Sequence, residues 1–485
     1  MSGKSIKPGK RMNRKTADNY RMYRIARNNC TNITRTAKRN FEKLIVQDIK
    51  TNTKGFWSYV REQTKSRTRM ADLKDNQGRI VTDSKEKANL LNNFFASVFV
   101  QEPTGPLPIF DILKDLNVFK SMGPDGCHPR VLKEAADILC EPLCLLMNKT
   151  FEEQSLPTVW KEANVSALFK NKGARTDPSN YRPVSLTCIP CKLCEKTVRE
   201  ILMKHMTENK LFTESQYGFR EKRSCILQLL DVLDDLTSAY DSSKQTDVIY
   251  LDIKKAFDTV PHRRLLLKLQ AYGFGGEIVS WIKDFLNDRR QKVIVNGEDS
   301  DWQEITSGIP QGSVLGPVLF IIYINDLPDT LRSVCKIFAD DSKIYRSIED
   351  EADQILIQED LFKICDWGER WLLEFSIPKC KAVQYGNIRL EHTYQMRDSS
   401  HEIIDIPTVS EEKDLGITFE KSLKFNKHVV NVVNRCKRLT GLIRRTFKYM
   451  NKSLFLQLYK SMIRSIVDYG IVVWYPTSKK KHSAH

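Results

Sequence analysis

Hydrophobic positions recur at helical spacing near both ends of the chain. Between residues 35 and 62, apolar side chains such as Phe41, Leu44 and Ile45 follow this spacing, and we expect one or two helices there. After about residue 420 the pattern predicts only helices, with valines and leucines forming apolar faces. Residues 1–30 are basic, and we expect them to be mobile.

The long middle part of the chain alternates between helical and strand patterns. Helices are predicted at 130–153, 192–207, 223–239, 261–271, 276–287, 314–326 and 350–371. Strands are predicted at 164–169, 247–252, 291–295, 334–339, 342–346 and 381–385. The closely spaced pair at 334–346 predicts a hairpin, and the alternation as a whole is typical of an α+β fold.

Polar and proline-rich stretches separate the first helices from this middle part. Residues 72–82 form a polar connector, and a helix capped by Asp83 or Ser84 is expected to run to Val98. Three prolines fall within residues 101–108, which predicts a domain boundary at that point.

Charge is distributed unevenly and indicates a long anionic partner. The net charge is +17, yet residues 1–70 carry +15 and residues 421–485 carry +14, so the middle of the chain carries −12. Two basic ends around an acidic body are typical of a protein that holds a polyanion, although solvated tails give the same pattern. Aromatic side chains among the basic ones, such as Trp57 and Phe447, favour nucleic acid.

Composition excludes several classes of protein. Hydrophobic residues make up 41% of the chain and charged residues 28%, so it can bury a core and is not disordered throughout. The longest apolar run, 314–324, is too short for a membrane helix, and the basic N-terminus lacks a secretion signal. We therefore expect a nuclear or cytoplasmic protein without a membrane partner. The hydrolase motifs G-x-S-x-G and H-E-x-x-H do not occur in the sequence.

Three of the twelve cysteines form a regular cluster. Cys188, Cys191 and Cys194 have a spacing that occurs in zinc sites, but no second Cys/His pair follows at the spacing of a zinc finger. The favoured interpretation is three small apolar side chains in a buried segment, and metal binding is the open alternative.

Carboxylates at the ends of two apolar strand patterns are the clearest chemical signal. Asp252 ends one pattern, and Asp340 and Asp341 lie in the turn of the expected hairpin. Burying a carboxylate is costly unless a cation is bound beside it, and oxygen ligands suit Mg²⁺. Neighbouring side chains on a strand face opposite ways, so we expect Asp340 to be the stronger ligand. Solvated turn residues are the alternative interpretation of the pair.

An ordered set of further motifs surrounds these carboxylates. In chain order the motifs lie at 123–126, 165–169, 180–186, 216–220, 251–260, 308–313, 338–341, 379–381 and 414–416. The most distinctive of them read GPDG, NYRPVSL, QYGFR, GIPQGS and FADD. This set resembles the reverse transcriptases of non-LTR retrotransposons, particularly the jockey-like LINE group, over roughly residues 35–476. So many short matches in the family's order are specific, although any one alone means little.

The resemblance implies a right-hand polymerase within the α+β class. Residues 1–100 would be a basic helical N-terminal extension or linker. Residues 105–390 would form fingers and palm, with an antiparallel sheet and helices in the palm. Residues 391–485 would form the motif E region and a truncated helical thumb. Family members usually carry an N-terminal endonuclease, which we expect this chain to lack.

The implied activity is RNA-directed DNA polymerisation, in which deoxynucleoside triphosphates are added to a DNA primer on an RNA template. Asp252 and Asp340, supported by Asp341 and the backbone carbonyl of Ile253, would hold two Mg²⁺ ions, with Mn²⁺ as a substitute. Phe257 takes the position of an aromatic gate that excludes the ribose 2′-hydroxyl. A place in the core is the alternative for this ring.

Cations and a glycine-containing loop complete the implied site. Arg182, together with Lys170 or Lys172, would bind the incoming triphosphate, because a guanidinium suits bidentate phosphate binding. Gln311 would lie near the new base pair, where Gly312 lets the backbone approach the nucleotide closely.

Four further residues are assigned from the same motifs. Lys379 would protonate the leaving pyrophosphate, and Lys381 competes for that role. We interpret Asp258 as structural rather than metal-binding, and we expect His262 to be a capping or surface residue.

Two other functions are compatible with the sequence. One is a catalytically inactive, nucleic-acid-binding remnant of such a polymerase, and the other is a domesticated polymerase with a telomerase-like role. The intact Asp252, Asp340, Asp341, Phe257 and Gln311 favour the active enzyme, because random decay would not spare these residues preferentially.

Overall fold

The computed structural model describes residues 17–47, 53–63, 73–74, 80–89, 113–114 and 116–475. The described residues form two compact units, which are 17–63 with 431–469, and 73–430 with 470–475. The boundary predicted at 101–108 and the second half of the helix predicted at 83–98 lie outside the described residues, whereas residues 84–89 are helical. No helix in the described part of the chain is long and apolar enough to cross a membrane.

Helices and strands are numbered here in chain order. The helices are α1 (Ala17–Gln47), α2 (Thr53–Gln63), α3 (Pro129–Glu134), α4 (Ala136–Glu152), α5 (Ile189–Glu208), α6 (Cys225–Asp241), α7 (Ala256–Thr259), α8 (His262–Ala271), α9 (Gly276–Leu286), α10 (Gly316–Tyr323), α11 (Glu351–Trp371), α12 (Asn426–Thr446), α13 (Lys452–Leu458), α14 (Arg464–Asp468) and α15 (Ile471–Trp474). The strands are β1 (Leu73–Lys74), β2 (Ile80–Val81), β3 (Glu162–Phe169), β4 (Tyr181–Thr187), β5 (Gln245–Leu251), β6 (Arg289–Val295), β7 (Glu298–Asp299), β8 (Gln303–Ile305), β9 (Val334–Phe338), β10 (Asp341–Ile348), β11 (Lys381–Gly386), β12 (Gln395–Arg397), β13 (Ile403–Asp405), β14 (Glu411–Asp414) and β15 (Ile417–Glu420). This mixture confirms the α+β class.

An antiparallel sheet of four strands, in the order β11-β5-β10-β9, forms the centre of the larger unit. Strand β5 is buried at every position but one, and α6 packs against it, which accounts for the apolar run at 248–251 in its second half. Leu251 of β5 pairs with Ser342 of β10, and Phe338 of β9 pairs with Asp341 of β10. The end of β5 and the β9–β10 turn therefore lie at the same end of the sheet.

A second sheet in the larger unit has the order β4-β3-β6-β7, and β8 also pairs with β6. The β3–β6 pair is parallel, and the other pairs are antiparallel. The sequence pattern does not predict β4, because Pro183 interrupts it. Strand β4 lies at the edge of the sheet, where a proline is tolerated because no further strand needs its missing N–H.

The helices and strands predicted for the middle part are confirmed, with ends that differ by a few residues, except that the helix predicted at 130–153 is divided at Ala135 into α3 and α4. The two hairpins β12–β13 and β14–β15 are additional. In the β14–β15 turn, Leu415 and Gly416 both have positive φ, at 41° and 92°, as two-residue hairpin loops favour.

The smaller unit is helical, as its hydrophobic pattern predicts. Its core consists of Val46, Phe56, Tyr59, Val60, Ile443, Phe447, Leu454 and Leu458. The Tyr59 hydroxyl donates a hydrogen bond of 2.7 Å to the buried carboxylate of Glu42. Of residues 1–30, for which mobility stays a prediction, 17–30 belong to α1 and 1–16 lie outside the described residues. Arginine favours helices, so a basic stretch does not by itself exclude a helix.

Candidate active site

Asp252 follows β5 directly, as the strand pattern predicts. Its backbone carbonyl accepts a hydrogen bond of 2.7 Å from the N–H of Ser376, and the N–H of Lys254 donates to the carbonyl of Glu374 at 2.8 Å. These bonds fix the chain where it leaves the sheet. The side chain of Asp252 stays 41% exposed, so its carboxylate can be reached by a ligand.

Asp340 and Asp341 lie at the same end of the sheet. Residues 339–340 form the two-residue turn between β9 and β10, and Asp341 is the first residue of β10. Ala339 has φ 56°, a left-handed conformation that is unusual for a residue with a side chain. The structure thus brings together the three carboxylates that the sequence predicts for the site.

The surroundings of the turn disfavour the charged forms of its two carboxylates. Burial raises the pKa of Asp340, the charge of Asp252 adds to this rise, and the guanidinium of Arg182 opposes it. Burial, and next the charge of Asp340, raises the pKa of Asp341 to about 6, and Lys343 opposes this rise. A cation bound at this position would reverse these shifts, because it favours the charged form of each carboxylate.

The donor atoms fit a hard cation that binds through oxygen. No three His, Cys, Asp or Glu side chains in the described part of the chain converge on one metal position. Mg²⁺ needs no such cage, because it usually takes one or two carboxylates, water and substrate phosphates. A cavity of about 110 Å³ beside the carboxylates is lined by residues including Asp252, Asp341, Lys343, Lys379 and Asp414.

Lys379 contacts Asp252, one of the candidate metal ligands, directly. Its Nζ donates a hydrogen bond of 3.0 Å to Oδ1 of Asp252, and its side chain remains 64% exposed. Lys381, the competing residue, instead donates to the carbonyl of Pro378 at 3.0 Å. The geometry therefore favours Lys379 over Lys381 as the cation of the site.

Lys170 directly follows β3, in the connection to β4, and Arg182 lies on β4. Burial lowers the pKa of Lys170, and the positive charges of Lys379 and Arg182 lower it further. Its Nζ donates to the carbonyl of Ser179 at 2.7 Å. Lys172 is exposed in the connection between the two strands. Of the two candidate lysines, Lys170 is the one that shares its surroundings with Arg182 and Lys379.

The loop at 308–313 makes hydrogen bonds both to α7 and to β4. Nε2 of Gln311 donates to Oδ1 of Asp258 at 2.7 Å, and the N–H of Ser185 donates to the carbonyl of Gln311 at 2.8 Å. Gly308 has φ 80°, and a Cβ there would lie 2.5 Å from the carbonyl oxygen of Asp258. Gly312 has φ 143°, and a Cβ there would lie 2.2 Å from the carbonyl oxygen of Ser185. The loop therefore requires glycine at both positions.

Phe257 lies on the short helix α7 and is half-buried. Its ring stacks on Phe320 with 4.6 Å between ring centroids, and its carbonyl accepts a hydrogen bond of 2.7 Å from the N–H of Ile309. The ring thus packs against the core without being enclosed by it. Its role as a gate stays a prediction.

Glu195 on α5 is an important contact that the sequence pattern does not reveal. Its buried Oε2 accepts hydrogen bonds of 2.6 Å from the hydroxyl of Ser313 and 2.6 Å from the N–H of Val314. It thereby holds the end of the glycine-containing loop just before α10. The sequence feature that could have indicated this contact is a glutamate within a segment that is otherwise mostly apolar.

Cys188, Cys191 and Cys194 are all buried, which confirms that their segment lies in the core. Burial raises the pKa of the Cys188 thiol to about 12 and also raises the pKa of the other two. Thiols with a raised pKa are poor nucleophiles.

The expectation that His262 is a capping or surface residue is wrong. The side chain is buried, and its Nε2–H donates a hydrogen bond of 2.6 Å to the carbonyl of Gly308. Its Nδ1 has no partner in the described part of the chain. Burial lowers the pKa of His262 to about 3. His262 therefore supports the glycine-containing loop as a neutral imidazole.

We expect His262 to make the larger unit sensitive to acid. The unfolded chain protonates this residue below pH 6.5, whereas the folded chain does not do so until about pH 3. As the pH is lowered between these values, protonation of His262 in the unfolded chain should reduce the free energy of unfolding by about 1.4 kcal/mol per pH unit. His262→Gln keeps a donor for Gly308 but cannot titrate, so its stability should fall less steeply in urea unfolding between pH 7 and pH 4.5. Equal slopes for the two proteins would contradict this account.

The chain is similar to proteins that are already known. The family described as reverse transcriptase (RNA-dependent DNA polymerase) matches residues 169–419. The probable RNA-directed DNA polymerase from transposon BS of Drosophila melanogaster is 26% identical over 93% of this chain and 54% of its own length. The RNA-directed DNA polymerase from mobile element jockey of Drosophila melanogaster is 28% identical over 77% of this chain and 41% of its own length. The chain thus spans about half the length of these relatives, or less.

Proposed function

Because this chain belongs to the reverse transcriptase (RNA-dependent DNA polymerase) family, we propose that it is the polymerase of a jockey-like non-LTR retrotransposon. It adds deoxynucleotides to the 3′-hydroxyl of a DNA primer on an RNA template. The observation that carries this proposal is the meeting of Asp252, Asp340 and Asp341 at one end of the central sheet, within the matched region. Relatives named as RNA-directed DNA polymerases of transposons support it.

In this proposal the sheet β11-β5-β10-β9 belongs to the palm, and the sheet that contains β3 and β4 belongs to the fingers. The region from 391 onward contains motif E and a helical thumb, and residues 1–100 are an extension. The antiparallel order of the first sheet and the helical pattern after residue 426 support these assignments.

The family uses divalent metal ions, and we assign two Mg²⁺ ions to this site, with Mn²⁺ as a substitute. Asp252 and Asp340 would hold them, with Asp341 and the carbonyl of Ile253 in support. When bound, two such ions neutralise charge on the transferring phosphoryl group. The raised pKa of Asp340 and of Asp341 supports a cation site, because the protein alone leaves these carboxylates poorly compensated.

The chain's own cations bind and orient the triphosphate. Arg182 and Lys170 lie on the side of the fingers sheet and bind the phosphates of the incoming nucleotide. This contact positions its α-phosphorus for in-line attack. Lys379 carries a proton on Nζ beside Asp252 and delivers it to the leaving pyrophosphate. Gln311 and Gly312 lie beside the nascent base pair.

Phe257 sets the preference for deoxynucleotides. We expect Phe257→Val to lower the ratio of kcat/KM for dCTP over CTP by roughly tenfold, because the smaller side chain leaves room for a 2′-hydroxyl. Phe257→Tyr keeps the ring and should keep the preference. An unchanged ratio in a Phe257→Val protein that still extends primers would assign the ring to the core alone.

The test of the proposed function is primer extension by the purified chain on an RNA template with Mg²⁺ or Mn²⁺. Extension that stops when EDTA is added would support a metal-dependent reverse transcriptase. Salt-sensitive binding of the RNA–DNA duplex without extension would instead support the inactive, nucleic-acid-binding remnant. Absence of both extension and binding would count against the active polymerase and against the nucleic-acid-binding remnant.

A further inference from the structure

The turn that carries Asp340 is conformationally demanding. Ala339, the first of its two residues, has φ 56°, and such left-handed residues persist only where the surroundings hold them. Ala339 is also buried, so its N–H cannot turn to water for a hydrogen bond. The position of Asp340 therefore depends on whatever accepts a hydrogen bond from this N–H.

The acceptor is the side chain of Gln216, which lies 123 residues earlier in the chain. Its Oε1 accepts hydrogen bonds from the N–H of Ala339 at 3.1 Å and from the N–H of Gly218 at 2.7 Å. The residue is fully buried, and its Nε2 has no partner in the described part of the chain. The amide oxygen is thus the part of the side chain that makes hydrogen bonds, and one of these goes to the catalytic turn.

The backbone around Gln216 is held in place independently. The N–H of Tyr217 donates to the carbonyl of Ile337 at 2.8 Å, and the N–H of Ile337 donates to the carbonyl of Ser215 at 2.8 Å. Residues 215–217 therefore run alongside β9. A Cβ at Gly218 would lie 2.6 Å from the nitrogen of Ala339, so the close approach of the two segments requires glycine.

We infer that Gln216 is a positioning residue that sets the Ala339–Asp340 turn for catalysis. The inference rests on the proposed function, because positioning matters only if Asp340 acts in polymerisation. Gln216 does not contact substrate or metal in this role. It acts by accepting the hydrogen bond from the Ala339 N–H, which fixes the direction in which the Asp340 side chain points from the turn.

Gln216→Met tests the inference, because methionine fills a similar volume but cannot accept both hydrogen bonds. Gln228→Met is the matched control. Gln228 is equally buried, and its side-chain amide makes no hydrogen bond in the described residues. Gln216→Glu is the conservative variant, since its carboxyl group can still accept from both N–H groups.

The first readout is amide hydrogen exchange over residues 334–345 in metal-free protein. Exchange at Ala339 should be about tenfold faster in Gln216→Met than in the parent, because its N–H loses its acceptor. Gln228→Met should match the parent, and Gln216→Glu should restore much of the protection. Equal exchange in parent and Gln216→Met would overturn the inference whether or not the chain polymerises.

The second readout is primer extension. The kcat of Gln216→Met should fall roughly tenfold, while the KM for primer–template stays within about twofold of the parent. A parental kcat in Gln216→Met with fast exchange at Ala339 would overturn the positioning role. No extension by the parent would reject the proposed function, and the exchange data would still decide whether the hydrogen bond exists. If Gln216→Met fails to fold, unprotected Ala339 in folded Gln216→Glu would overturn the inference, and restored protection there would support it.

Discussion

Asp340→Asn/Asp341→Asn should lower the rate of primer extension by about 10³-fold or more, without loss of the fold. A carboxamide carries no charge to hold a divalent ion. Electrostatic stabilisation of the charge that develops in the transition state is typically the largest contribution to the catalysis of phosphoryl transfer. Such a loss corresponds to about 4 kcal/mol of activation free energy. The measurement is single-nucleotide extension at saturating RNA–DNA duplex and Mg²⁺.

The same variant should be at least as stable as the parent in metal-free solution. The raised pKa of Asp340 and of Asp341 indicates that folding forces both carboxylates into surroundings that disfavour their charge. Removing the two charges removes that unfavourable contribution. A lower free energy of unfolding for the variant would show that the two carboxylates are held by interactions other than those described here.

Glu298→Gln/Asp299→Asn provides the control for this prediction. It also neutralises two adjacent acidic residues at a hairpin, but on β7 in the other sheet. This control should extend primers at the parent rate. Equal extension by parent and by Asp340→Asn/Asp341→Asn would mean either a contaminating polymerase or an incorrectly assigned site.

The parts of the fold that follow local patterns were predictable from the sequence. Strand β5 ends in an apolar run that Asp252 follows, and the β9–β10 hairpin has two strand patterns on either side of Asp340. Local pattern sufficed because burial favours apolar side chains at positions such as Val248, Ile337 and Ile344. Antiparallel pairing through a two-residue turn then brought Asp340 and Asp341 to the end of β5.

Contacts between distant segments could not be predicted in this way. Gln216 bonds to a turn 123 residues later, and Glu195 bonds to Ser313 118 residues later. Each contact joins a single polar side chain to groups in another segment, so it leaves no periodic signal in the sequence. The buried position of His262 was missed for the same reason, because its partner is a backbone carbonyl 46 residues away.

The compact unit formed by residues 17–63 and 431–469 is a larger example of the same limit. Amphipathic spacing predicts that both segments bury an apolar face, but it does not say against which partner. Phe56 and Phe447 stack with 5.8 Å between ring centroids, although almost four hundred residues separate them. Only the three-dimensional arrangement shows that both rings belong to one core.

Gly312→Ala should lower the rate of primer extension by about 100-fold. The added Cβ would lie 2.2 Å from the carbonyl oxygen of Ser185, and φ at this position is 143°, which alanine adopts poorly. Both the loop and β4 must move to relieve the contact. Gln311 precedes the glycine directly, and Arg182 lies three residues before Ser185, so two proposed substrate-binding residues shift together. A displacement of about 1 Å is enough for a loss of this size.

Gly297→Ala separates backbone strain from the steric contact in this prediction. Gly297 has φ 94°, but nothing lies within 4 Å of an added Cβ, so alanine there is strained without meeting a neighbour. It should destabilise the protein by about 1–2 kcal/mol and leave extension close to the parent rate. Gly312→Ala should lose both stability and activity, measured by urea unfolding and by extension. If the two variants retained the same activity, the approach of the loop to β4 would not be what positions Gln311 and Arg182.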